Sequence, residues 1–127
     1  MAENDHSVKL EPTLWRLVAL FDEHLDGGVA SEYKDQPLAQ DWARVGKVIE
    51  EAGEAIQELI ALTGQNPRKG KSGSLGLLLD ELADTALTAI YAIQHFTKNE
   101  RTTRTIVEQK AIYHALRVGI LRDGSND

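Results

Sequence analysis

Residues 48–64 read VIEEAGEAIQELIALTG, and their spacing decides the fold. Val48, Ala52, Ile56, Leu59 and Ile60 recur as one face of a helix, and Gly64 supplies a stop. Extended backwards, the pattern takes in Val45 and reaches Pro37, a residue tolerated in a first turn, so a helix is predicted from about Pro37 to Leu62. The same stretch crowds Glu50, Glu51 and Glu54 together, although like charges a turn apart cost a few tenths of a kcal/mol per pair. A solvated face could avoid that cost by interleaving lysines. The crowding anticipates a cation.

Outward from this helix, glycine, proline and polar clusters at DGGVAS, TGQNPRKGKSGS and RDGSND divide the chain into helical segments. A first helix is predicted from about Pro12 to Leu25, with Leu14, Leu17, Val18, Phe21 and Leu25 at helical spacing. A third runs from about Ser74 to Thr97; LGLLLDELADTALTAIYAI is apolar nearly all round, which puts it at the centre. A fourth runs from about Glu100 to Leu121 and carries Ile106, Val107, Ala111, Tyr113, Leu116 and Ile120. No segment alternates like a strand for long. The expectation is an all-α, four-helix bundle-like single domain over residues 1–127, with 1–11 and 122–127 flexible.

The whole chain bounds the function classes. Its 127 residues suit one domain, and 42% hydrophobic with 27% charged residues is ordinary globular composition. The absence of cysteine excludes a disulfide framework, a thiolate metal site and a thiol nucleophile, and fits a reducing compartment. The opening MAENDHSVKLEP has no apolar signal-peptide core, and nowhere do 18 apolar residues run together, so a cytoplasmic protein without a membrane span is expected. A net charge of −6 argues against polymeric nucleic acid or an acidic membrane as partner. A small anionic substrate bridged to acids by a metal ion remains compatible with it.

Two carboxylate pairs stand out, Glu51-x-x-Glu54 and Glu81-x-x-Asp84. Residues three apart project from one helix face, so two such pairs on antiparallel neighbours can converge four carboxylates on one small volume. With Glu51 at zero, the apolar stripe covers roughly 60° to 180°, while Lys47, Glu54 and Glu58 fall within about 60° on the other side. Either pair alone could be a solvated helix face. The second is the more informative, because Leu79, Leu82, Ala83 and Ala86 surround it and burying unpaired carboxylates is expensive. An oxygen-only donor set suits Mg²⁺, with Mn²⁺ as the alternative.

The run EEAGE at 50–54, a loop, then DELAD at 80–84 resembles the E-E-x-x-E and E-x-x-D signature of MazG-like pyrophosphohydrolases, in the all-α NTP pyrophosphatase superfamily that includes dimeric dUTPases. The resemblance covers about Trp42 to His95. It implies a MazG fold completed by dimerisation, as a dimer or a dimer of dimers. It also implies hydrolysis of a nucleoside triphosphate, or a related nucleotide, to the monophosphate and pyrophosphate, for nucleotide pool control or housecleaning. Carried over residue by residue, Glu51, Glu54, Glu81 and Asp84 become the Mg²⁺ ligands. Glu50 matches the leading acid and completes the catalytic set, either orienting or deprotonating water or standing as a solvated helix residue.

Other residues carry two readings each. Arg68, Lys69 and Lys71 in GQNPRKGKSG could grip phosphates or simply form a solvated turn; the loop is one residue too long for a Walker site and has no preceding strand. Lys47, one turn before Glu51, could meet a substrate phosphate or form an ordinary ion pair. Trp42 and Tyr91, with Trp15 and Tyr33, could stack on a base or belong to the core. His95 lies about 16 Å along the helix from Asp84, too far to share its ion. A di-iron bundle would need Glu-x-x-His on two helices, and only Glu3 to His6 matches. The remaining alternative is a non-catalytic helical interaction or regulatory module.

Overall fold

The computed structural model describes residues 12–124, so the flexible end expected at 1–11 and the last three residues lie outside it. Among the described residues four helices follow in order: α1 (Leu14–Gly27), α2 (Pro37–Thr63), α3 (Leu75–Thr97) and α4 (Glu100–Arg117), with one 3-10 turn at Ser31–Tyr33. No strand occurs among the described residues.

Local chemistry sets each boundary. Thr13, Ser74 and Asn99 accept side-chain hydrogen bonds from the amides of Arg16 (3.2 Å), Leu77 (3.2 Å) and Thr102 (2.9 Å), satisfying orphan donors at the starts of α1, α3 and α4. Pro37 opens α2, and Gly64, left-handed at φ 69°, ends it. The last helix stops short of the predicted Leu121. Gly119 takes φ +79°, the Ile120 amide donates to the Ala115 carbonyl (2.9 Å), and the Gly119 amide donates to that of Leu116 (3.2 Å). This is a Schellman ending, and the glycine that dictates it stands in the sequence.

α3 is central, as its all-round hydrophobicity predicts: it packs against α1, α2 and α4. α1 also meets α4, whereas among the described residues the backbone of α2 approaches only α3 and the 3-10 turn, and α1 and α2 do not approach backbone to backbone. The buried apolar residues are small or few, namely Val18, Ala19, Ala55 and Ala92. The periodicity of α2 predicts that its apolar stripe is the buried face with Glu51 at its edge, and the structure corrects this. Only Ala55 of α2 is buried, and Val45, Ile56, Leu59 and Ile60 remain open because one neighbouring helix cannot cover so broad an arc. Among the described residues, no helix is long and apolar enough to cross a membrane.

Candidate functional site

The α2–α3 pair brings the two acidic motifs together. Glu51, Glu81 and Asp84 each present a carboxylate oxygen within 4.8 Å of the others. Glu54 is also close enough to act on the Glu81 carboxyl. The Glu81 Oε2 atom is enclosed and has no hydrogen-bond partner. Burial, then the neighbouring carboxyl of Glu54, then the charges of Asp84 and Glu51, push the Glu81 carboxyl above its ordinary value. Among the described residues the ammonium paired with this group is that of Lys47, whose Nζ lies 3.0 Å from Glu50 and 3.3 Å from Glu51. The hydrogen bond to Glu50, with that to Glu51, holds the Lys47 ammonium above its usual range against the opposing effect of desolvation. Glu50 itself sits outside the converging group, at its exposed rim.

These residues fit a hard divalent cation. Oxygens on opposite sides of an octahedral Mg²⁺ stand about 4.2 Å apart, comparable with the spread of the three carboxylates. The enclosed, unpartnered Glu81 oxygen and the mutual repulsion are what such an ion would relieve.

Beside the acids lies a cavity of about 340 Å³ between α1, α2 and α3, within the usual range for small-ligand sites. Glu51 and Asp84 form one side, Arg44 and Lys47 contribute cations, and Phe21 and Tyr91 form an aromatic wall. The two rings stack with centroids 4.6 Å apart at 26°. Burial, and then the charge of Asp84, raise the Tyr91 phenol above its ordinary value, so it keeps its proton near neutral pH.

The other residues singled out by sequence lie elsewhere. Arg68, Lys69 and Lys71 occupy the hairpin loop, and Gly64, where it begins, is about 15 Å along the helix from Glu54. Lys69 lines a separate hollow with Gln57, Ile60 and Asn66. Trp42 is 75% exposed and is neither core nor part of the cavity wall.

A second charged cluster escaped the sequence reading. Asp22, only 2% exposed, lies 3.0 Å from Arg44 Nη2 and accepts a hydrogen bond from Lys98 Nζ at 2.8 Å. Asp26 accepts from the same two cations, at 2.9 Å and 2.7 Å. His95 Nε2 stands 2.7 Å from Asp41, and its Nδ1 is 3.9 Å from Asp26. Asp22, Asp26 and His95 also present atoms within 4.8 Å of one another, yet a metal there would have to displace both Arg44 and Lys98. The cluster ties α1, α2 and the end of α3 across the gap where α1 and α2 do not pack. Its one sequence signal was Asp22, which falls four residues after Val18 and three before Leu25, inside the apolar stripe of α1. Compared with family models, curated proteins and solved structures, the chain matches none, so the motif resemblance stands on its own residues.

Proposed function

We propose that this chain is a metal-dependent nucleoside triphosphate pyrophosphohydrolase, acting in the cytoplasm on a nucleoside triphosphate or related nucleotide. The observation that carries it is the meeting of Glu51, Glu81 and Asp84, with an unpartnered Glu81 oxygen, beside an aromatic-walled cavity. Glu51, Glu54, Glu81 and Asp84 would hold Mg²⁺ or Mn²⁺, which when bound neutralises phosphate charge and acidifies water. Lys47 has its ammonium beside the acids, where it can turn to a phosphate oxygen. Glu50, on the rim, is the acceptor for the proton of the attacking water. The α–β anhydride bond breaks, and pyrophosphate leaves with the bonding electron pair. The Phe21–Tyr91 wall supports the base by stacking and excludes water from that side.

The proposal extends to a MazG-like arrangement of the four helices and to a homo-oligomer. The competing proposal, a non-catalytic interaction or regulatory module, draws on the exposed apolar side of α2. A pyrophosphate-release screen across nucleotides with Mg²⁺ and Mn²⁺, run beside Glu54→Gln and Asp84→Asn, separates them. Turnover should fall about 100-fold or more in each variant with the fold intact. Release that survives both substitutions ends the catalytic assignment.

A further inference from the structure

The cavity beside the acids has α1 on one side and α2 on the other, and these two helices do not pack backbone to backbone. Phe21 and Leu25 bring α1 to its wall, while Arg44, Lys47 and Glu51 bring α2. Among the described residues, every hydrogen bond and ion pair that crosses from α1 to α2 runs through Arg44. Its Nη2 donates to the Asp22 carbonyl at 3.2 Å and lies 3.0 Å and 2.9 Å from the carboxylates of Asp22 and Asp26. One side chain thus holds the two walls together where packing does not.

His95 of α3 stands between the same walls and is bonded to only one of them. Its Nε2 lies 2.7 Å from Asp41 on α2, and an ionised carboxylate only accepts, so this nitrogen carries the proton of the neutral ring. Nδ1 is then a lone pair, enclosed and without a hydrogen-bond partner, 3.9 Å from the Asp26 carboxylate of α1. Two acceptors face each other across a side chain that is only 9% exposed. The surrounding charges do not balance either. Asp22 and Asp26 come from α1, Asp41 and Arg44 from α2, and Lys98 from the end of α3, which sets three carboxylates against two permanent cations. A proton on Nδ1 supplies the missing positive charge and turns the facing acceptors into donor and acceptor.

We infer that His95 is a proton-operated latch between α1 and α2 at the edge of the cavity. When the ring takes up a proton, the pair draws together by about 1 Å to an ordinary hydrogen-bond length, and Nδ1–H donates to Asp26. With Nε2 still on Asp41, α1 gains a second crossing to α2 beside that of Arg44. Histidine changes charge between about pH 5 and 8, so the latch is fastened at the acid end of that range and released at the other. A closed state that binds the proton more tightly is favoured as pH falls and loses that advantage as pH climbs. Phe21 adjoins Asp22 on α1 and stacks on Tyr91, so the latch governs how firmly the aromatic wall of the cavity stands.

The test is amide hydrogen exchange of the full, ligand-free chain at about pH 5.5 and about pH 8, corrected for the intrinsic pH dependence of exchange. It is run beside ring-nitrogen NMR of His95 and the variant His95→Gln, whose amide can still donate to Asp41 and takes up no proton. Protection of α1, taken relative to α2 and α3, should fall about tenfold from the lower to the higher pH, in step with loss of the Nδ1 proton. His95→Gln should hold it constant. Relative protection of α1 that is the same at both pH values overturns the latch, and so does a ring that keeps one protonation state across the range; both are read in the wild type. A fall of the expected size that persists in His95→Gln overturns it as well, by assigning the pH dependence to another group. With neither nucleotide nor metal in the measurement, each of these outcomes leaves the pyrophosphohydrolase proposal standing, and pyrophosphate release decides that separately.

Discussion

The molecule holds two clusters of acids, and they are built on opposite principles. In the cluster of Asp22, Asp26 and Asp41, every carboxylate has a cationic or imidazole partner at 3.0 Å or less, supplied by Arg44, Lys98 and His95. At Glu51, Glu54, Glu81 and Asp84 the only cation paired among the described residues is Lys47; enclosed atoms without a hydrogen-bond partner occur in both clusters, Glu81 Oε2 here and Asp22 Oδ1, Arg44 Nη1 and His95 Nδ1 there, so the difference lies in the countercharge. Even pKa directions separate them. Burial alone would raise Asp26, but Lys98 and Arg44 together hold it below its ordinary value, whereas burial and like charge both push Glu81 up. Compensated acids join helices; uncompensated acids are kept by a fold for something it binds.

The largest expected effect breaks the compensated cluster. Arg44→Met leaves Asp22 buried with Lys98 as its remaining cation, and should cost about 3–5 kcal/mol in urea unfolding. A loss below about 1 kcal/mol would erase the distinction between the two clusters. Next, Mg²⁺ at about a hundredfold its dissociation constant should raise stability by about 2.7 kcal/mol in thermal melts. Asp84→Asn should abolish that gain. Chelation should leave the Arg44 cluster untouched.

The smallest effect is a difference in pH slope without metal. Glu81, raised in the folded state, favours folding in its protonated form; stability should fall as pH climbs from about 4.5 through the raised value. Asp26, lowered, stabilises at pH above 3.8 and loses that contribution as pH drops through its folded value. Glu81→Gln should remove the first slope and keep the second, which unfolding measured across pH 3 to 7 would reveal. If the first slope persists in the variant, the repulsion lies elsewhere.

Much of this was legible in sequence. Pro37, Gly64, Ser74 and Glu100 mark helix boundaries because caps and stops act within a few residues. The i, i+3 spacing of both acidic pairs placed each on one face, and a short antiparallel hairpin brings the faces together. Gly119 was equally readable as the stop of α4, and Asp22 in an apolar stripe was a signal passed over. Arg44, Lys98 and His95 had no such mark. Their partners lie on other helices, and nothing local identifies a lysine after α3 as the neighbour of an aspartate in α1.

Sequence by itself determined the helices, their ends and the two convergent acid pairs, since these depend on periodicity and capping within a few turns. Tertiary structure decided that Tyr91 stacks on Phe21 beside the acids while Trp42 points away, and that the loop cations stand apart from them. It also decided which acids are neutralised. That outcome depends on distances across helices, where Coulomb energy and desolvation are set by packing rather than by position along the chain.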